Sequence, residues 1–217
     1  MYRFFSTTPL SKDSSPTFSE EEKKHMRVLR LRGQEPFEIV DGKGSLAIAT
    51  YEEPITIQTI STAPIPTTKQ ILALALLEPS HLDIALEKGT ELGITDFYLF
   101  PTKKSSLSHF TENRTTRAHK ILLSALKQSK RLFLPTLTLL SSISKLPDIP
   151  LFLADPTGSK TTPREGSKMI VVGPESGLTP DEIAYLTNDR KATKVNLSPN
   201  ILRAETAAII ASYWLAS

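Results

Sequence analysis

Val171-Val172-Gly173-Pro174-Glu175-Ser176-Gly177-Leu178-Thr179-Pro180-Asp181-Glu182 runs from an apolar, strand-like pair through a glycine-bounded loop into a helix start. A second stretch repeats the plan: Asn196-Leu197-Ser198-Pro199-Asn200-Ile201-Leu202-Arg203-Ala204-Glu205-Thr206-Ala207 continues from the strand-like Lys194–Leu197 and opens the final helix. Each loop puts glycine, proline or small polar residues at the carboxyl end of a strand. In open α/β sheets that edge is where ligands bind. Neither loop is long merely to reverse the chain, so the pair reads as one ligand site. The first loop lacks the Lys-Ser/Thr of a P-loop and the GxGxxG spacing of a dinucleotide turn. Backbone groups reading an adenine ring or an amino acid suit it better, and a plain turn is the other reading.

Working outward, the strands expected around these loops are Ile71–Leu77, Phe97–Phe100, Leu151–Leu153, Met169–Val172 and Lys194–Leu197, separated by helical segments. Strands alternating with helices predict an α/β fold with a mostly parallel sheet. Thr179-Pro180-Asp181-Glu182 combines an N-cap, a proline at the first helical position and a returning carboxylate. Ser80-His81-Leu82-Asp83 is expected to cap a helix ending at Gly93. Before Thr67 the pattern is different. Ser19-Glu20-Glu21-Glu22 reads as a capping box for a helix reaching about Arg30. Phe37, Ile39 and Val40, then Leu46, Ile48, Ile55 and Ile57, mark half-buried strands around a turn at Asp41-Gly42-Lys43-Gly44. Thr62–Thr68, with two prolines, is the expected joint between a β-rich unit, 1–66, and a larger unit, 67–217.

Composition bounds the chemistry. The 217 residues are 39% hydrophobic and 23% charged, an ordinary globular balance. There is no cysteine, which excludes disulfides and thiolate metal sites. The four histidines, His25, His81, His109 and His119, show no metal-ligand spacing, so no metal is expected. The longest apolar run is far too short for a membrane span, and Met1–Phe5 lacks the apolar core of a signal peptide. A cytoplasmic protein without a membrane partner is the simplest expectation. The net charge of +3 is uneven. Between residues 102 and 134 stand Lys103, Lys104, Arg114, Arg117, Lys120, Lys127, Lys130 and Arg131 against Glu112 alone. On a helix over 114–131, Arg117, Lys120, Ser124, Lys127, Gln128 and Arg131 share one side. Ala118, Ile121, Leu122, Ala125 and Leu126 share the adjoining one. Such a stripe suits phosphate contacts, and a solvated outer face is the alternative.

Arg203, in the expected first turn of the last helix, opposes the helix dipole, which points to a ligand or catalytic role; a surface ion pair is the other reading. Arg203 and Thr206 share a face, and Glu205 points elsewhere. From Ala207 to Leu215 this helix is apolar nearly all round, as in a core or at a dimer interface.

These residues, in this order, resemble the ribosomal RNA small-subunit methyltransferase E family. The resemblance rests on Gly173-Pro174-Glu175-x-Gly177-Leu178 with Glu182, and on Leu197-x-x-x-Ile201-Leu202-Arg203-x-Glu205-Thr206-Ala207. It continues in Lys88-x-x-Glu91-Leu92-Gly93, in Gln128-Ser129-x-Arg131 with Pro135, and in His25-x-x-Val28-Leu29-Arg30 with Asp41-Gly42. Ser176 and Ser198 each stand where the family usually has glycine. The resemblance implies a small amino-terminal PUA-like β-barrel and a SPOUT domain with a deep trefoil knot; the periodicity by itself would suggest an unknotted doubly wound sheet. It also implies a homodimer, S-adenosylmethionine as cofactor, and methylation of N3 of one uridine in 16S rRNA of the small ribosomal subunit.

On that resemblance the cofactor-binding set is Leu153, Gly173, Pro174, Glu175, Gly177, Leu197, Ser198, Asn200, Ile201 and Leu202, with Leu197, Ile201 and Leu202 walling the adenine. Arg203, Glu205 and Thr206 are the expected catalytic residues: Arg203 stabilises the uracil anion and Glu205 orients it or relays the N3 proton. Arg27, Arg30 and Arg32, with Lys88, Arg117, Lys120, Lys127, Gln128 and Arg131, are the expected rRNA contacts. A related knotted methyltransferase with another target base, or a non-catalytic rRNA-binding protein, are the alternatives.

Overall fold

The computed structural model describes residues 1–12, 15–31, 35–51, 55–107, 109–162 and 165–217. The chain forms two compact units, Met1–Pro66 with Leu123–Leu134, and Thr67–Leu122 with Pro135–Ser217.

The first unit holds β1 (Arg3–Phe5), α1 (Glu20–Val28), β2 (Pro36–Val40), β3 (Ser45–Thr50) and β4 (Thr56–Thr62) in a four-stranded sheet ordered β1-β2-β3-β4. β1 pairs parallel with β2, and the other pairs are antiparallel. Alternation in β2 sends Phe37 and Ile39 into a core with Phe4, Met26 and Ala47, where Phe4 and Phe37 meet edge to face at 5.4 Å. The expected β2–β3 turn is made by Asp41, whose carboxylate accepts the Lys43 and Ser45 N–H groups at 2.8 and 3.1 Å. Gly42 (φ 68°) and Gly44 (φ 105°) supply the left-handed backbone it needs. Ser19 caps α1 by accepting the Glu22 N–H. The expected reciprocal half of that capping box is absent, because the buried Glu22 carboxylate turns instead to Lys127 Nζ and to the Phe5 N–H.

The second unit is a six-stranded, wholly parallel sheet ordered β10-β8-β9-β5-β6-β7. Its elements are β5 (Gln70–Ala75), α2 (Pro79–Glu91), β6 (Asp96–Phe100), α3 (Glu112–Gln128, whose last turns belong to the first unit), β7 (Thr136–Leu139), β8 (Leu151–Ser159), β9 (Lys168–Val172), α4 (Pro180–Ala184), β10 (Thr193–Val195) and α5 (Ala204–Ala216). β5 and β9 are central and buried, as continuous apolar runs covered on both faces require.

Local chemistry decides where the elements end. α2 begins earlier than the expected Ser80 cap: Pro79 takes the first helical position, which forces Glu78 extended (ψ 141°) as N-cap. The helix closes as expected at Gly93 (φ 102°). α4 starts on the full capping box of Thr179 and Glu182 and continues into a π-helical turn, Tyr185–Asp189. β10 stops at Val195 rather than Leu197, since the Asn196 side chain donates to the Pro156 carbonyl at 3.1 Å and accepts the Ser198 N–H at 3.0 Å. β7 had no expectation attached. α5 lays Ala204, Ala208, Ala211, Ser212 and Leu215 inward against α2, β5 and β9. The small residues matter there: a Cβ on Gly89 of α2 would sit 2.8 Å from the Phe97 ring and 3.3 Å from Ser212 Oγ.

Candidate active site

The carboxyl ends of β8, β9 and β10 and the start of α5 enclose a cavity of about 610 Å³ within the second unit. That lies in the range of small-molecule sites. β8 delivers Leu153, Ala154, Asp155 and Pro156. β9 delivers Val172 and the loop Gly173, Pro174, Glu175 and Gly177, then Leu178. β10 leads into Asn196, Leu197, Ser198, Asn200, Ile201 and Leu202. Arg203, Ala204, Glu205 and Ala207 close the wall from α5, joined by His81 of α2 and Ile183 of α4.

Each loop is braced from within. The Gly177 N–H donates to the Pro174 carbonyl at 2.8 Å, and Gly177 takes φ 71°. Gly173 is packed so closely that a Cβ would meet Leu178 Cγ at 3.1 Å. Beyond the loop, the Glu182 carboxylate accepts the Thr179 N–H at 2.8 Å and the Lys103 N–H at 2.9 Å. Burial works against its ionisation, but these bonds prevail and hold its pKa below the ordinary range. In the second loop the Ser198 Oγ accepts the Asn200 N–H at 3.2 Å. This serine is therefore a turn-forming residue of the loop, and the exposed Ser176 is not among the cavity-lining residues. Asp155 is held by Thr157 and by Lys194 Nζ at 3.0 Å; burial opposes its ionisation, and these partners still keep its pKa low.

Besides Asp155, two carboxylates of the cavity, Glu175 and Glu205, converge on one histidine. Glu175 Oε1 accepts the Glu78 N–H at 3.0 Å and lies 2.9 Å from His81 Nδ1. Glu205 Oε2 is buried without a hydrogen-bond partner among the described residues, 3.9 Å from the same His81 nitrogen. The hydrogen bond that His81 donates to Glu175, with the charges of Glu205, Glu175 and Glu78, raises the His81 pKa against the effect of desolvation. Burial pushes the Glu175 pKa upward, and the His81 and backbone hydrogen bonds more than reverse it. Sequence reasoning had passed over His81, whose partners lie 94 and 124 residues away.

Arg203 is the extended N-cap residue of α5 (φ −66°, ψ 156°), not a first-turn residue as expected. Its exposed side chain makes no hydrogen bond or ion pair with any described residue. Every residue expected to bind cofactor lines the cavity, as do Arg203 and Glu205; exposed Thr206 does not.

The expected RNA contacts are more heavily partnered than the bare helical face suggests. In the second unit Arg117 holds Asp83 (Nη2–Oδ2 2.6 Å) and Lys88 lies between Glu87 and Glu91 at 2.7 and 2.8 Å. Lys120 is exposed. In the first unit Lys127 pairs with Glu22, Gln128 is exposed, and Arg131 is half-buried with its guanidinium pKa lowered by that burial. The cationic side of the helix, which faces Glu112 alone in its stretch of chain, thus meets acids from other elements. Arg27 and Arg30 are exposed, and Arg32 lies outside the described residues. Among the described residues no cluster of His, Asp or Glu suits a metal ion, and no helix is long and apolar enough to cross a membrane.

A parallel sheet with a braced cavity at its carboxyl edge and an arginine left uncommitted at its rim define an α/β domain with a small-molecule site. The sequence profile of the RNA methyltransferase domain matches residues 64–216, and the chain belongs to that family. A ribosomal RNA small subunit methyltransferase E from Rickettsia conorii is 29% identical over 184 residues, covering 78% of this chain and 70% of its own. One from Mycobacterium tuberculosis is 27% identical over 207 residues, covering 85% and 79%. The crystal structure of such an enzyme from Neisseria gonorrhoeae, bound to S-adenosyl methionine, superposes with a TM-score of 0.84 at 25% identity over 98% of this chain and 95% of that one.

Proposed function

We propose that this protein methylates N3 of a specific uridine in 16S rRNA of the small ribosomal subunit, with S-adenosylmethionine as cofactor, acting in the cytoplasm as a homodimer without a metal. The observation that carries the reading is the 610 Å³ cavity, lined from the start of α5 by the uncommitted Arg203 and by Glu205, whose Oε2 is buried without a hydrogen bond among the described residues.

The residues present fit the cofactor. Leu153, Leu178, Leu197 and Leu202 offer apolar walls to a nucleoside, the two loops offer backbone polar groups, and Glu205 Oε2 is a buried oxygen without a hydrogen bond among the described residues. When bound, S-adenosylmethionine supplies an electrophilic sulfonium methyl group. The protein's own work is to make a uracil nitrogen nucleophilic. N3 is a poor nucleophile while protonated, so Arg203 stabilises the anion left when the proton departs, and Glu205 orients the base or takes the proton. Apolar walls exclude water, which strengthens both effects.

The domain reading extends this function. Residues 1–66 act as a PUA-like barrel whose Arg27, Arg30 and Arg32 serve rRNA binding, and 67–217 as a SPOUT domain adding Lys88, Arg117 and Lys120, with Lys127, Gln128 and Arg131 contributed by the segment of that range that packs in the first unit. β10 stands at one edge of the sheet while α5 returns to pack on central β5 and β9, a path that supports the trefoil knot. Tyr213 on α5, 62% exposed, supports a second copy docking there. The deciding experiment is methyl transfer from labelled S-adenosylmethionine to small subunits lacking the modification, followed by nucleoside mass spectrometry. Appearance of N3-methyluridine is expected. A different methylated nucleoside would retain the chemistry and discard the target. Absence of transfer beside an active control, with rRNA still bound, would make this a binding protein.

A further inference from the structure

Pro79, Ser80 and His81 form the first turn of α2, so His81 presents an imidazole at a helix N-terminus, where the dipole disfavours a cation. The surroundings argue the other way. From the loop after β9, Glu175 Oε1 lies 2.9 Å from His81 Nδ1; from α5, Glu205 Oε2 lies 3.9 Å from the same atom; from its own helix start comes Glu78. Arg203, at the N-cap of α5, pairs with none of them among the described residues. Nδ1 carries one hydrogen, and at 2.9 Å it belongs to Glu175. Glu205 Oε2 is left buried and without a hydrogen bond among the described residues.

We propose that His81 is a proton-dependent counter-ion for Glu175 and Glu205, so that capture of a positively charged ligand by the cavity competes with protonation of this imidazole. The inference rests on the reading of S-adenosylmethionine as cofactor. With His81 charged, the imidazolium offsets one of the two carboxylates that face it; with His81 neutral, neither is offset by it. A cation entering the cavity then favours loss of the imidazole proton, and by linkage its affinity rises with pH across the window where His81 titrates. Release of one proton bounds the gain at about tenfold per pH unit. The flanking carboxylates shift that window above the ordinary histidine value. S-adenosylhomocysteine lacks the sulfonium charge but shares the amino-acid moiety, so a cavity of this kind separates cofactor from spent product better as His81 is deprotonated.

The test is calorimetric titration of the full chain with S-adenosylmethionine and with S-adenosylhomocysteine between pH 6 and 9, for the wild type and for His81→Gln. Imidazole titration is followed by NMR in the wild type and in Glu205→Gln, with His81→Gln assigning the signal. The ratio of the two affinities is expected to rise severalfold with pH in the wild type and to lose that slope in His81→Gln. Glu205→Gln is expected to bring the His81 pKa down. A ratio independent of pH in the wild type, or a slope retained in His81→Gln, overturns the proposal. If neither ligand binds at any pH, the cofactor reading fails, and the NMR arm alone decides: a His81 pKa unmoved by Glu205→Gln refutes the counter-ion, and a fall supports it.

Discussion

Replacing Glu182 by alanine should loosen the cavity from outside it. The Glu182 carboxylate is only 8% exposed as a residue and accepts three hydrogen bonds: from the Thr179 N–H at 2.8 Å, the Thr179 hydroxyl at 3.0 Å and the Lys103 N–H at 2.9 Å. It thereby closes the capping box of α4 and pins the loop after β6 to the loop after β9. Losing the reciprocal cap costs about 1 kcal/mol, and a hydrogen bond to a charged group contributes roughly 1.5–3 kcal/mol. The bonds share one carboxylate and do not add, so about 3 kcal/mol is expected for Glu182→Ala. Glu182→Gln, which keeps the shape and one acceptor, should cost about 1–2 kcal/mol. For a chain of this length each kcal/mol shifts Tm by roughly 2–4 °C, which puts the alanine variant about 6–12 °C below wild type in the calorimetric transition of the second unit. The sign with pH follows from the depressed folded pKa: the stabilisation is full above the ordinary glutamate value, about 4.3, and is lost as pH falls through the folded one. The gap between wild type and variant should therefore shrink below about pH 4.5. A shift smaller than about 2 °C at pH 7, or a gap that widens on acidification, would refute the assignment of these bonds as the brace.

Other perturbations separate the roles inside the second unit. Arg203→Ala should lower kcat at least a hundredfold, on the order of one lost electrostatic donor, while isothermal titration shows cofactor affinity little changed; equal loss of both would make Arg203 a wall of the pocket. Ser198→Gly removes the acceptor of the Asn200 N–H and should weaken cofactor binding by roughly 0.5–1 kcal/mol, and tighter binding would show instead that the serine crowds the ligand. Gly158→Ala forces a Cβ to 2.6 Å from the Lys194 and Val195 backbone, so the β8–β10 edge should part and urea unfolding should reveal a loss of about 2–4 kcal/mol. Arg117→Ala should reduce rRNA affinity severalfold and lower the salt slope of binding by about one, because an exposed pair with Asp83 is weak enough to yield to phosphate. An unchanged slope would remove Arg117 from the RNA surface.

What could be read from the chain and what could not divides along sequence distance. The capping box at Thr179–Glu182, the Asp41–Gly44 turn and the apolar runs of β5 and β9 are set by neighbours within a few residues, so residue type and spacing announce them. The two ligand loops were legible for the same reason, since glycines and small polar residues at a strand's carboxyl end have a local signature. The charge partners have none. Asp83 and Glu22 reach Arg117 and Lys127 across 34 and 105 positions, which is why a helix face devoid of acids in the chain is not devoid of them in the fold. β1 was missed because three residues carry no period; only its parallel pairing with β2 defines it.

His81 brings out the point most clearly. By spacing it is a solitary histidine on a helix start, where the bland reading is a solvated surface group. What makes it chemical is the sheet order: β9 and the return of α5 bring Glu175 and Glu205 to the same end of the sheet, converging on a residue that precedes both by more than ninety positions. A parallel sheet gathers the ends of strands distant in sequence, so its sites combine locally legible loops with side chains whose partners only the topology selects. The cavity's shape therefore follows from motifs visible in the chain, while its protonation state follows from the fold. Variants of the two loops and variants of His81 should accordingly fail in different ways, the former in affinity at every pH and the latter in the dependence of affinity on pH.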